Sequence, residues 1–371
     1  MKYDYLIVGS GLMGATFAYL AHQAGKRCLV MERRPWTGGN VHQQHQEGIN
    51  VHQYGAHIFH TPDRAVWDFV NAFVPFNRYT NSPLANFRGR LFNLPFNMNT
   101  FHQMWGVTTP DEACRIIEEQ RRQACIATPR NLEEQALSLV GRDIYEMLIR
   151  EYTEKQWGRP CTELPAFIIK RLPLRFVYDN NYFNDPYQGI PQGGYNLLTD
   201  ALLQGVECLT DVDFVHSPYR HWSEYADRLF FTGAIDEFFD FCLGQLEWRT
   251  VTFRTRVEET PNFQGNAVVN YTSHEVPYTR VIEHKHFETF GEDVYRTPRT
   301  VVSEEYSTEW KPGMEPYYPV NDERNMKLLA CYQELARQQE GVVFAGRLAE
   351  YKYYDMAPTV RRAMELWDTQ K

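Results

Sequence analysis

Apolar residues fall into short continuous runs near both ends of the chain and into helical or alternating spacing between them. The opening run, Tyr3-Asp4-Tyr5-Leu6-Ile7-Val8, has the form of a strand buried on both faces. It passes straight into Gly9-Ser10-Gly11-Leu12-Met13-Gly14. The apolar stretch that follows, Ala15 to Ala24, predicts a helix stopped at Gly25, where a left-handed cap costs least. Arg27 to Met31 predicts a second strand, closed by Glu32. This order is that of a dinucleotide-binding unit. Gly9 permits a tight turn, Gly11 lets the backbone approach a pyrophosphate, and Gly14 lets helix and strand pack closely. The helix N-terminus supplies amides to the phosphates, and Glu32 is placed to accept from ribose hydroxyls.

The segment after Glu32 selects among dinucleotides. Arg33-Arg34 and Gly38-Gly39-Asn40 resemble the glycine-pair motif of amine-oxidase-like flavoproteins, where this loop runs along the cofactor towards its isoalloxazine ring. A plain surface turn is the alternative. Gly341 to Arg347 predicts a late strand returning to the sheet, a closure more typical of flavoproteins than of NAD dehydrogenases. The expected cofactor is FAD.

Further along, Thr61-Pro62 predicts the cap and first turn of a helix over 63–73, and 79–97 reads as short strands turning at Gly89. Thr109-Pro110-Asp111-Glu112 is a capping box, a signal repeated by Asn131-Leu132-Glu133-Glu134. A third helix is expected from Arg142 to Lys155, so this block reads as a small bundle. Four β-rich runs (250–257, 267–272, 278–284 and 300–306) predict a meandering antiparallel sheet. The chain then reverts to helix, strand and helix over 322–339, 342–345 and 357–367. The expected fold class is α/β: a discontinuous Rossmann-like FAD-binding domain (1–78, 191–246 and 314–371) with two insertions. One is a helical bundle (98–165). The other is an antiparallel β-sheet domain (79–97, 166–190 and 247–313) with a mobile loop near 166–178. The cleft between the three is the expected ligand site.

Composition narrows the class. A net charge of −9 argues against nucleic acid or an anionic membrane surface as partner, so an anionic substrate needs locally placed arginine. Seven scattered cysteines without a CxxC fit a reducing compartment and no disulfide frame, and no His/Cys spacing implies a metal. No run approaches 18 apolar residues, and no signal peptide is visible; a cytoplasmic protein without membrane insertion is expected.

Specific strings then carry a resemblance. Gly55-Ala56-His57-Ile58-Phe59-His60-Thr61, Tyr152-Thr153-Glu154-Lys155-Gln156-Trp157-Gly158 and Lys170-Arg171-Leu172-Pro173-Leu174-Arg175-Phe176 resemble the bacterial UDP-galactopyranose mutases. So do Asp179 to Phe183, Pro277 to Arg280 with Glu283-His284-Lys285, Pro316 to Pro319, and Gly346-Arg347-Leu348 with Tyr351 to Met356. These strings span nearly the whole chain in order. The resemblance implies FAD, active when reduced, and isomerisation of UDP-galactopyranose to UDP-galactofuranose by N5 attack on the anomeric carbon, without net redox change. It also implies a homodimer and a role in supplying surface polysaccharide.

The same resemblance assigns roles. Arg171 and Arg280 would grip the UDP diphosphate, a task suited to guanidinium, and with His60 would form the catalytic set. The loop bearing Arg171 is expected to close over the bound nucleotide sugar. Asn81, Tyr152, Trp157, Tyr182, Tyr318, Tyr353 and Asp355 correspond to the substrate cleft, although Asp355 also reads as an ordinary N-cap and each tyrosine as core. Gly9, Gly11, Gly14, Glu32, Arg33, Gly38, Gly39, Asn40, His57, Arg347 and Met356 would hold the cofactor. Ala56, Tyr354 and Pro191-Gln192-Gly193 depart from the usual strings beside flavin or substrate. An FAD-dependent oxidoreductase of the amine-oxidase type, or a mutase acting on another nucleotide sugar, are the alternatives.

Overall fold

The computed structural model describes residues 2–169 and 173–370. The strand Tyr3–Val8 lies at the centre of a five-stranded parallel sheet. The order runs Val342–Phe344, Ala226–Phe231, Tyr3–Val8, Cys28–Met31 and Glu207–Leu209. Its strands are apolar because helices cover them. The helices Leu12–Gln23 and Met356–Asp368 pack side by side on one face. There Phe17 stacks on Phe230 at 3.9 Å and meets Trp367 edge-on at 5.6 Å. The first and last helices thus share one core, and the C-terminal segment closes the sheet from which the chain set out.

A second sheet has seven strands in the order Tyr318–Pro319, Trp248–Glu258, Thr300–Glu309, Arg280–Glu283, Val268–Tyr271, Leu84–Phe87 and Arg90–Asn93. It departs from the expected antiparallel meander in two places: Trp248–Glu258 pairs with Thr300–Glu309 and not with the next strand in the chain, and one seam is parallel. Val268–Tyr271 pairs in parallel with Leu84–Phe87, a strand delivered from far upstream by a hairpin that turns at Arg88 and Gly89. Local alternation cannot report the direction of a partner so distant in sequence.

The helical block packs on the hairpin at the edge of the second sheet in one core around Phe92, Phe101, Ile117, Leu132 and Ile144. Thr109 caps Pro110–Ala124 in the expected box with Glu112, and Asn131 caps Leu132–Val140. One helix was not expected, Met98–Trp105, which Asn97 caps reciprocally with Thr100. Another starts later than expected. Thr61 belongs to the strand Phe59–Thr61, and Asp63 caps Arg64–Asn71 by accepting from Ala65 N and Val66 N while ion-pairing with Arg361. The carboxylate is the stronger acceptor, and the strand pairing of Thr61 with Tyr187 fixes the boundary.

The expected helix from Arg142 holds a wider π turn at Tyr145–Ile149 before resuming as Arg150–Trp157. One extra residue in a helix turns everything after it by about 100°, so the π turn decides which way Tyr152 faces. Lys155, one turn further, fixes this helix to the second sheet. Its half-buried ammonium donates to the carbonyls of Tyr271 (2.7 Å), Ser273 (2.8 Å), Val276 (3.3 Å) and Tyr278 (2.8 Å). Burial lowers its pKa to about 8. Lys155→Met should orphan these acceptors and lower stability by about 3 kcal/mol or more, measured by denaturant unfolding.

Candidate active site

The glycine loop is built as its spacing demands. A Cβ on Gly14 would lie 2.0 Å from the Gly9 carbonyl oxygen, so helix and strand touch backbone to backbone. Gly39, at φ +57°, approaches the first loop so closely that a Cβ there would sit 2.8 Å from Gly11 Cα. Gly11 occupies the N-cap of Leu12–Gln23 without a side-chain cap, which leaves first-turn amides for a ligand. Glu32 accepts from Ser10 N at 3.1 Å, Ser10 Oγ at 2.7 Å and Arg34 N at 3.1 Å. Gly38 N in turn donates to Ser10 Oγ at 3.2 Å, so the acid ties the two glycine loops together beside the position foreseen for a ribose. Gly14→Ala should force the helix off the strand; holoprotein is expected to lose its bound cofactor, measured as absorbance remaining after gel filtration.

From this loop a cavity of about 720 Å³ runs to the second sheet and the helical block. Its walls include Gly9, Gly11, Glu32, Arg33, Gly38, Gly39, Asn40, His57, Arg347 and Met356 at one end. His60, Asn81, Tyr152, Tyr182, Arg280, Tyr318, Tyr353 and Asp355 also line it. Gly14 lies beneath the floor as a packing residue. Trp157 is not in the wall: it packs against the core of the helical block. Arg171 lies outside the described residues.

Arg280 is the best defined of these groups. Its Nε stands 3.0 Å from Glu305 Oε1, and Nη2 donates to Tyr152 OH at 3.2 Å. Burial disfavours its charge, but the Glu305 carboxylate together with the Tyr152 and Tyr318 phenols outweighs that and holds the guanidinium protonated. Burial raises the phenols of Tyr152 and Tyr353, and that of Tyr318 to about 12. At neutral pH they are therefore neutral donors. Asn270 Oδ1, also in the wall, is buried without a hydrogen-bond partner among the described residues. The site thus offers a fixed cation, neutral hydroxyl donors and an unmet acceptor, a set suited to a polyhydroxylated anion.

The cofactor end carries more positive charge than expected. Arg33 and Arg34 both contact Glu315, at 2.9 and 2.7 Å, and Arg34 also donates to Asn40 Oδ1 and lies over the Tyr54 ring. Arg347 donates to the carbonyls of Pro316 and Tyr317, and it has no carboxylate partner among the described residues. Burial lowers its pKa to about 10, which leaves it charged at neutral pH. An unpaired cation in the wall calls for an anion. Asp355 stands at the N-cap of Met356–Asp368 but its side chain makes no cap hydrogen bond; the carboxylate accepts instead from Tyr353 OH at 2.9 Å. The ordinary capping role is corrected on that point, because the hydroxyl two residues away competes for the carboxylate. The first-turn amides of this helix are left without a side-chain acceptor.

Three histidines next to the cavity form a neutral cluster. His57 Nδ1 donates to Gly55 O at 2.7 Å, and burial lowers its pKa to about 4. His57 N donates to His52 Nδ1, and His52 N to His284 Nδ1, both at 3.2 Å. His284 Nε2 completes the chain against Ser303 Oγ at 2.7 Å; its pKa is about 3, again through burial.

Glu305, Glu315, Asn270 and Asp185 were not foreseen. Only Glu315 left a trace, an acid next to the Pro316 string. The others lie in strands or turns whose partners are distant in sequence.

A glycine loop under a helix N-terminus, opening on a cleft of arginine, tyrosine and histidine, defines an α/β enzyme of the nucleotide-cofactor class. An NAD(P)-binding Rossmann-like family model matches residues 7–73, and the UDP-galactopyranose mutase model matches 147–353. The chain is 38% identical to a dTDP-fucopyranose mutase of Escherichia coli, over 97% of this chain and 96% of that one. It is 37% identical to a probable UDP-galactopyranose mutase of Klebsiella pneumoniae, over 98% and 94%. A crystal structure of reduced UDP-galactopyranose mutase superposes with a TM-score of 0.73 at 15% identity, covering 100% of this chain and 94% of that one. The chain belongs to the UDP-galactopyranose mutase family. It is an isomerase with a flavoenzyme-type fold, and no described helix is long and apolar enough to cross a membrane.

Proposed function

We propose that the protein interconverts UDP-galactopyranose and UDP-galactofuranose, with FAD along the glycine-loop end of the cavity and the nucleotide sugar at the Arg280 end. The observation that carries this reading is that both ends open into one continuous cavity, so a sugar held by Arg280 and the tyrosines reaches a cofactor held by the two glycine loops. Gly9, Gly11, Glu32, Gly38 and Gly39 would receive the adenosine and pyrophosphate. The amides of Met356 and its neighbours would face the negative charge of the reduced ring. When bound, reduced FAD supplies at N5 a nucleophile for the anomeric carbon.

The chain's own residues manage the leaving group. Charge collects on the diphosphate as the anomeric C–O bond breaks, and donors that grip it more tightly at that moment lower the barrier. Arg280, with Arg171 by family resemblance, supplies those donors. Tyr152, Tyr318 and Tyr353 add hydroxyls without adding charge. The three-part domain division read from the sequence belongs to this proposal, since it places the cleft at the junction of the two sheets and the helical block.

A second substrate has a specific argument, the 38% identity to a dTDP-fucopyranose mutase. Fucopyranose is the 6-deoxy form of a galactose-configured sugar, so the same ring contraction applies. The test is chromatographic. Purified protein is expected to release FAD on denaturation, and the reduced holoenzyme to convert UDP-galactopyranose to its furanose form. Faster turnover of dTDP-fucopyranose would transfer the assignment to that sugar. Substrate oxidation with hydrogen peroxide release would place the protein with the amine-oxidase-like enzymes.

A further inference from the structure

His60 sits on the strand Phe59–Thr61, which pairs antiparallel with Tyr187–Gly189, His60 opposite Gln188. The turn leading into that partner strand brings two side chains onto the imidazole. Asp185 Oδ2 accepts from Nδ1 at 2.6 Å. Phe183 stacks on the ring with centroids 3.6 Å apart and planes within 12°. The ring is clamped on one face and tied at one nitrogen. With Nδ1 committed to the carboxylate, Nε2 is the end left for chemistry, and both His60 and Phe183 lie in the cavity wall. No other side-chain hydrogen bond of either His60 or Asp185 occurs among the described residues, so the two side chains are not part of a larger side-chain network.

Conversion of a pyranose to a furanose moves protons as well as bonds. The C1–O5 bond breaks with its electron pair going to O5, which takes up a proton to become a hydroxyl. The C1–O4 bond then forms from an O4 lone pair, and the O4 hydroxyl gives up its proton. One proton is delivered and one withdrawn, on oxygens attached to neighbouring ring carbons, with no net change. A single imidazole serves both steps: the imidazolium delivers its Nε2 proton to O5, and the neutral ring left with its proton on Nδ1 takes the O4 proton back, provided Nε2 is held towards the sugar and the other nitrogen has a carboxylate to balance the charge.

We propose that Asp185 is the positioning residue for His60, fixing Nε2 as the atom that carries the proton between O5 and O4 of the sugar. The assignment rests on the mutase reading above, and it adds a proton carrier and its orienting carboxylate. Phe183 holds the ring plane, and Asp185 sets the tautomer.

Asp185→Asn keeps size and hydrogen-bonding capacity but allows the amide N–H to face Nδ1, which favours the tautomer with the proton on Nε2. In the reduced holoenzyme this variant is expected to lower kcat by about tenfold to a hundredfold, with KM for UDP-galactopyranose within about threefold of wild type. In a His60→Ala background the same change should cost less than about twofold, because its effect runs through the imidazole. Tautomer state gives a readout independent of turnover. Nitrogen-15 NMR of labelled histidine at alkaline pH should show His60 protonated at Nδ1 in wild type and shifted towards Nε2 in Asp185→Asn. Unchanged kcat in Asp185→Asn, an equal loss with and without His60, or the same tautomer in both proteins would each overturn the proposal. If the wild-type protein shows the expected tautomers but contracts no sugar ring, the mutase reading fails while the Asp185–His60 orientation stands.

Discussion

Arg280→Ala is expected to lower kcat/KM by at least about a hundredfold while leaving cofactor absorbance intact. Each charge-assisted contact to a diphosphate is worth about 1.5–3 kcal/mol, and each 1.36 kcal/mol is a factor of about ten in rate. A guanidinium can make two such contacts at once. The geometry adds a second consequence. Glu305, nearly buried, has Arg280 as its ion-pair partner, so truncation strands a carboxylate in the wall. Breaking one side of a buried pair costs roughly 3–5 kcal/mol, so Arg280→Ala should also lower the unfolding midpoint. Adding Glu305→Gln should restore much of that stability and none of the turnover. Recovery of activity in the double variant would mean that Arg280 only neutralises Glu305 and does not act on the substrate. Arg171→Ala should match the loss in kcat/KM on the strength of family resemblance alone.

Acid should unfold the protein steeply, and the histidine cluster is the reason. His52, His57 and His284 are kept neutral by burial, with the last two at about pH 4 and 3 and His52 well below its ordinary value. Their unfolded pKa is about 6.5. Between those limits the unfolded chain binds more protons than the folded one, so the stability from these groups is fully present above about pH 6.5 and lost as pH falls. Three such groups give a slope of roughly 4 kcal/mol per pH unit near pH 5. A typical folding free energy of about 5–15 kcal/mol is spent within two or three units at that rate. Denaturant titrations between pH 7 and 5 measure the slope, and His284→Asn should reduce it by about a third. A flat profile over that range would mean the three imidazoles are not held neutral.

What was legible in the sequence was local. The glycine loop, Gly25, the Thr109 and Asn131 caps and the π-free parts of the helices depend on residues within one or two turns of each other, and spacing reports them. The ends of the cleft were legible for the same reason, since Gly9, Gly11, Gly38 and Gly39 act through backbone shape. The partners that set charge were not legible. Glu305 reaches Arg280 across a strand pairing, Asp185 reaches His60 across a different one, and Lys155 finds its four carbonyls on a turn more than a hundred residues away. The placement of Trp157 failed on the same ground. An aromatic side chain at a helix end serves cleft and core equally well in sequence, and the packing of the helical block decided for the core. Asp355 shows the limit of cap rules, because a neighbouring hydroxyl drew its carboxylate off the helix amides.

The central claim is that a sugar ring contracts in this cleft with the help of a reduced flavin and without net oxidation. The most direct measurement is anaerobic incubation of the holoenzyme with UDP-galactopyranose, in matched oxidised and dithionite-reduced samples, followed by chromatography of the nucleotide sugars. The expected result is UDP-galactofuranose in the reduced sample alone, approaching a fixed equilibrium ratio, with the flavin still reduced at the end. Equal conversion with oxidised flavin, or reoxidation of the flavin in step with sugar turnover, would contradict it.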